Sequence, residues 1–182
     1  MPLPLIRKIQ TIAQSRFFTI EALHLSFSNG VERVYERLPA VGQPGVIVVA
    51  INDNDELLLI REYAAGFHEF QLTLPKGAAD PGESLEAAAA RELAEEAGFG
   101  AKDVCFVKRL SIAPGHMGFT INVVMAKDLY VHDIPGDEPE PPELVLWPLA
   151  KIDELLDHEE FYEARAIAAL TLCLPQLRPS TV

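Results

Sequence analysis

Gly77-Ala78-Ala79-Asp80-Pro81-Gly82-Glu83-Ser84-Leu85-Glu86-Ala87-Ala88-Ala89-Ala90-Arg91-Glu92-Leu93-Ala94-Glu95-Glu96-Ala97-Gly98-Phe99 runs a loop straight into a helix. From Ser84 to about Ala97 the chain has no Gly or Pro, is rich in Ala, Glu and Leu, and meets Gly98 where a left-handed residue closes a helix. Glu92, Glu95 and Glu96 stand at i, i+3 and i+4 and so share one face. Ala90, Ala94 and Ala97 with Leu93 form the other side, small enough to pack closely on a sheet, so the acidic face is expected to look outward. An oxygen-only cluster of this kind suits a hard divalent cation, Mg²⁺ or Mn²⁺. The ordinary alternative is a solvated face with i,i+4 charge pairs. Two features weigh against it: only Arg91, one turn before Glu95, offsets the carboxylates, and the preceding Leu74–Gly82 segment is a Gly/Pro-punctuated loop whose main chain can approach a ligand closely.

The spacing Gly77-(five residues)-Glu83-(seven residues)-Arg91-Glu92-Leu93-x-Glu95-Glu96-x-Gly98-Phe99 resembles the Nudix box, with every position filled. Seven of its positions require one residue type and two an apolar one, which puts a chance match in this chain on the order of one in ten million. Resemblance to the Nudix hydrolases implies divalent metals bridging a diphosphate linked to another moiety, with water attacking one phosphorus. It further implies Glu92 and Glu96 as principal ligands, Glu95 beside them and the main-chain carbonyl of Lys76 completing the set, while Arg91 pairs with Glu83 and Gly77 and Gly98 shape the box.

Charge is consistent with a metal-dependent site. Fifteen Lys plus Arg against 27 Asp plus Glu leave −12 at pH 7, a surface that repels polyphosphates and nucleic-acid backbones, so a small anionic substrate delivered as its metal complex is expected and nucleic acid is not. At 182 residues the chain suffices for one domain with an appended element. The start Met1-Pro2-Leu3-Pro4-Leu5-Ile6-Arg7-Lys8 lacks a signal layout and no apolar run approaches a membrane span, which predicts a cytoplasmic protein without membrane contact. Cys105, in an apparent strand, and Cys173, in an apolar helix, read as buried reduced thiols.

Patterning outlines the fold. Thr19–Ser28 and Val31–Leu38 alternate around Asn29-Gly30, which predicts an opening β-hairpin. Val46–Ile51 and Leu57–Ile60 read as central strands, and Phe70–Leu74, Val104–Leu110, Ile121–Lys127 and Leu144–Leu149 as further ones. Helices are predicted at about Lys151–Leu156 and at Glu160–Leu174, the latter stopped by Pro175. The helix after Gly77 on one side of mixed strands and a C-terminal helix on the other give an α/β fold, an α/β/α sandwich with an N-terminal hairpin extension. The expected division is 1–43 for the extension, which pairs subunits, and 44–182 for the Nudix domain.

The segment Ile134–Glu143 is acidic and proline-stiffened, and loops fixed at both ends often carry catalytic groups. Several Nudix hydrolases place a general base on such a loop, so Glu138 or Glu140 is the candidate. Ile60-Arg61-Glu62-Tyr63 resembles the Arg-x-Tyr stretch of the ADP-ribose pyrophosphatases, which implies substrate contacts for Arg61 and Tyr63, and Pro114, fifteen residues past Phe99, falls where that group carries a proline. Together with Ser15–Thr19, Phe27–Val31, Val34–Arg37 and Gly136–Pro141, these segments resemble the ADP-compounds hydrolase (NudE) subfamily over nearly the whole chain. Pro75 and Gly115-His116-Met117-Gly118 depart from its pattern. The resemblance implies hydrolysis of ADP-ribose, diadenosine polyphosphates and NADH with release of AMP, in a homodimer. The alternatives are a nucleoside triphosphate pyrophosphatase and a non-catalytic module that senses ADP-ribose or NAD-type ligands.

Overall fold

The computed structural model describes residues 1–40, 42–136 and 138–177. Contacts divide the chain into two units, Met1–Gly42 with Ser111–Thr120, and Gln43–Leu110 with Ile121–Val182.

The first unit is built on an antiparallel sheet of β1 (Leu5–Gln14), β2 (Thr19–Ser26) and β3 (Glu32–Arg37), in that order. The predicted hairpin is present as β2 and β3, joined by a turn in which Gly30 takes φ 81°. The extension is therefore larger than a hairpin, because β1 precedes it. Its Ile6, Ile9 and Ile12 recur every third residue, and register shifts between Ile6 and Lys8 and between Thr11 and Ala13 explain why. Each irregularity resets the inside-outside alternation by which a strand is recognised.

The second unit is organised around β4 (Gly45–Ala50), which pairs in parallel with β9 (Thr120–Val131) and antiparallel with β7 (Lys76–Ala78); the sheet order is β7-β4-β9-β8, β8 being Phe99–Ser111. A second sheet runs β10-β5-β6, from Glu143–Pro148, Glu56–Ala64 and Glu69–Thr73. β4 is buried on both faces, as its β-branched run predicts. Ile47 and Val49 join Leu57, Leu59 and the C-terminal helix residues Ala166, Ala169, Leu170 and Cys173 in one cluster. Val46, Val48 and Ala50 join Leu58, Ile60, Ala88, Ala89 and Leu93 in the other. Helix α1 (Leu85–Ala97) thus covers one face and helix α3 (Ala164–Leu177) the other, which is the expected α/β/α sandwich.

Local chemistry sets the helix ends. The Ser84 hydroxyl caps α1 by accepting from Ala87 N–H at 3.1 Å, and Gly98 closes it at φ 74° with its N–H on the Ala94 carbonyl. Helix α3 starts at Ala164, later than the expected Glu160, because the Glu163 carboxylate accepts from the N–H groups of Arg165 and Ala166. It also runs past Pro175, which lies inside it; near a C-terminus a proline removes one N–H and need not end the helix at once. Leu149–Lys151 forms a 3₁₀ turn leading into helix α2, Ile152–Leu156. Both cysteines are free, Cys173 buried and Cys105 partly so. No helix among the described residues is long and apolar enough to cross a membrane.

Gly98→Ala tests the cap. A new Cβ would approach nothing closer than 3.9 Å, so the expected loss of about 1 kcal/mol in urea unfolding comes from the left-handed backbone alone. An unchanged midpoint would disprove the cap's contribution.

Candidate active site

The acidic face of α1 is not solvated. Glu92 is 8% and Glu96 6% exposed, buried beneath the loop that carries β7, while Glu95 is intermediate; this corrects the expectation of an outward face. The reason is tertiary: α1 contacts β4, β5 and β7, so the loop covers a face that an isolated helix would turn to water. Lys76 N–H donates to Glu96 Oε2 at 2.7 Å. Gly77 lies so close to Glu92 that a Cβ there would fall 2.1 Å from its carboxylate carbon. Only glycine leaves room for that carboxylate against the loop backbone.

Arg91 ties the site together. Its guanidinium donates to Glu83 at 3.1 Å, Glu92 at 2.9 Å, Glu95 at 2.8 Å and the Ala78 carbonyl at 2.8 Å, joining loop to helix. Glu83 also accepts from Asp80 N–H at 2.8 Å. The Arg91 contact, with that backbone bond, holds the Glu83 carboxyl below the usual range. Burial acts the other way on the two covered acids. It raises Glu92, against the pull of Arg91, and pushes Glu96 up to about 8 despite the Lys76 N–H.

Two acids missing from the helix pattern adjoin this face. Glu62 forms an ion pair with Lys76 Nζ, and its charge bears on Glu96. Glu138 bears on Glu92, and its carboxylate curls against Gly136, which itself lies next to Glu95. Glu138 was legible from its proline-rich loop. Glu62 was passed over because it sits between Arg61 and Tyr63 on a strand, with no motif of its own.

A cleft of about 620 Å³ opens beside Glu138. It is lined by Arg61, Tyr63 and Phe70 of the β5–β6 ribbon, by the loop acids Glu138 and Glu140, and by Glu143, the cross-strand neighbour of Arg61 on β10. Arg61 donates to Glu143 at 2.6 Å and to Glu160 at 2.9 Å, so its charge is already shared. The Tyr63 hydroxyl lies 2.8 Å from His68 Nδ1. Phe70, opposite Tyr63 in the β5–β6 register, carries no sequence signal beyond being an aromatic in a strand. Pro114 is exposed, on the Ser111–Thr120 segment of the first unit.

The residues present fit a divalent cation in kind: oxygen donors, two of them buried carboxylates without a full complement of positive charge, one of which, Glu92, packs against a glycine that clears space for it. Arg91 and Lys76 N–H currently occupy several of those oxygens, and among the described residues no three acidic, His or Cys side chains are gathered around one point.

Residues 4–37 match the family model of the NudE-type Nudix hydrolase N-terminal domain, and residues 42–170 that of the NUDIX domain. ADP compounds hydrolase NudE of Escherichia coli (strain K12) is 50% identical over 93% of this chain and 90% of its own length. ADP-ribose pyrophosphatase of Bacillus subtilis (strain 168) is 26% identical over 88% of this chain and 90% of its own. The crystal structure of an ADP compounds hydrolase superposes with a TM-score of 0.92 at 48% identity, covering 97% of this chain and 95% of that one. A box held this way, followed end to end by such similarity, has one explanation in descent: the chain belongs to the Nudix hydrolase family, in its NudE-type branch.

Proposed function

We propose that this chain hydrolyses the diphosphate of ADP-ribose, diadenosine polyphosphates and NADH, releasing AMP, with Mg²⁺ or Mn²⁺ held by Glu92, Glu95, Glu96 and the Lys76 carbonyl. Its class is that of its branch: a pyrophosphohydrolase acting on ADP-linked compounds. The observation that carries the site assignment is the pair of buried carboxylates under the loop, Glu92 lodged against Gly77 and Glu96 accepting from Lys76 N–H. Burying two acids side by side is costly, and a cation offsets that cost.

Nudix hydrolases generally need a divalent metal; when bound, it neutralises phosphate charge, orients the diphosphate and acidifies the attacking water. The chain's own groups do the rest. Arg91 ties the loop, at Glu83 and the Ala78 carbonyl, to Glu92 and Glu95 of the helix, and so holds the box acids against the loop. Glu138 is the better general-base candidate of the loop pair, since its charge reaches Glu92 and it lies over Gly136 beside Glu95, ready to accept a proton from water. Arg61 and Tyr63 contact substrate from the cleft side. Residues 44–182 act as the hydrolase domain in the cytoplasm, where such nucleotides are metabolised. Residues 1–43 pair two copies, a reading supported by the exposed Leu5, Ile9, Ile12, Val34 and Tyr35 of the N-terminal sheet.

With Mg²⁺ or Mn²⁺, chromatography should resolve AMP from ADP-ribose, diadenosine triphosphate and NADH but little product from deoxynucleoside triphosphates. Glu96→Gln and Gly77→Ala should each lower turnover by about two orders of magnitude or more. Preferred cleavage of triphosphates would make the chain a nucleotide pyrophosphatase, and binding without turnover a sensor. Glu138→Gln should cut kcat by about tenfold or more while Mn²⁺ binding by calorimetry persists; full activity would move the base elsewhere. Light scattering should return twice the 20.0 kDa chain mass, and a monomer at micromolar concentration would contradict the pairing.

A further inference from the structure

The cleft lining combines two chemistries, aromatic and acidic. On the β5–β6 ribbon, Tyr63 and Phe70 face each other edge-on with ring centroids 6.0 Å apart, and they remain 52% and 60% exposed. His68, at the left-handed turn position of that hairpin (φ 59°), holds the Tyr63 hydroxyl. A pair of open aromatic faces fixed in orientation suits stacking by a ring.

The rest of the lining is mostly carboxylate and proline. Among the described residues lining the cleft, Glu62, Glu138, Glu140 and Glu143 oppose a single guanidinium, Arg61. Glu143 is paired with Arg61 and Glu62 with Lys76. Neither Glu138 nor Glu140 has an ion pair or hydrogen bond among the described residues; Glu138 bears on Glu92 of the box, which leaves Glu140 as the other unpaired carboxylate of the cleft. A phosphate entering here would meet uncompensated negative charge. A sugar hydroxyl would instead find acceptors, since an ionised carboxylate accepts and does not donate.

We propose that this cleft receives the ring-and-ribose flank of the substrate, against Tyr63 and Phe70, and that Glu140 makes the enzyme reject a flank bearing an extra phosphate. This rests on the hydrolase function proposed above, with the diphosphate lying at Glu92, Glu95 and Glu96. Glu140 is then a specificity-determining residue and Phe70 a binding residue. The net negative charge of the chain acts here as a local filter on small substrates.

The test compares kcat/KM for ADP-ribose, ADP-ribose 2′-phosphate and ADP-ribose 1″-phosphate, in the unaltered protein, Glu140→Gln and Glu140→Lys. The unaltered protein at low salt should prefer ADP-ribose to at least one phosphorylated form by about tenfold or more. Which form is rejected identifies the flank that occupies the cleft. That ratio should shrink severalfold in Glu140→Lys, less in Glu140→Gln, and should fall as ionic strength rises from about 0.05 to about 0.5 M. Equal use of all three compounds, or a preference untouched by both substitutions, would overturn the inference while leaving the hydrolase assignment in place. No turnover of ADP-ribose would overturn both.

Discussion

The site depends on one guanidinium. Arg91 touches the loop at Glu83 and Ala78 and the helix at Glu92 and Glu95, in a corner otherwise dominated by acids. A planar fork with five donors can serve four acceptors at once, which an ammonium on a flexible stem cannot do in fixed directions. Without it, Glu83, Glu92 and Glu95 would repel one another and the loop would lose its tether to the helix. The position of the box carboxylates is therefore a property of this hub as much as of the helix that bears them.

Beneath the hub lies a strand buried on both faces. Because β4 is covered by α1 on one side and α3 on the other, the helix carrying the carboxylates sits on a floor that cannot shift without disturbing both clusters. Ala88, Ala89 and Leu93 set how closely α1 approaches that floor. The same close approach brings Glu92 and Glu96 under the loop and away from water, and burial raises both acids. Two acids buried together cost local stability, a common trade at functional sites.

Much of this was legible before any coordinates. The box helix, its closing glycine and the burial of β4 follow from spacing and residue type, since each rests on contacts within a few residues or on a plain hydrophobic run. β1 was not legible, because its register shifts erase alternation. Pro175 misled, because its cost depends on how near the helix end it falls. The outward acidic face was the most instructive error. A helical wheel separates Ala from Glu correctly, yet it cannot know that a loop from the same chain will fold over the acidic side.

What the sequence alone determined is the list of groups and their spacing along one helix: three carboxylates, an arginine to tether them, glycines at the loop and the cap, and hence a family and a reaction class. The tertiary structure decided what those groups face. It set Glu92 against Gly77, placed Glu62 and Glu138 beside the box from positions distant in the chain, and joined Tyr63, Phe70 and Glu140 in one cleft. The physical reason is range. Helix periodicity and capping are local and are written in adjacent residues, whereas burial, charge coupling and cleft shape arise between segments dozens of residues apart and exist only once the chain has packed.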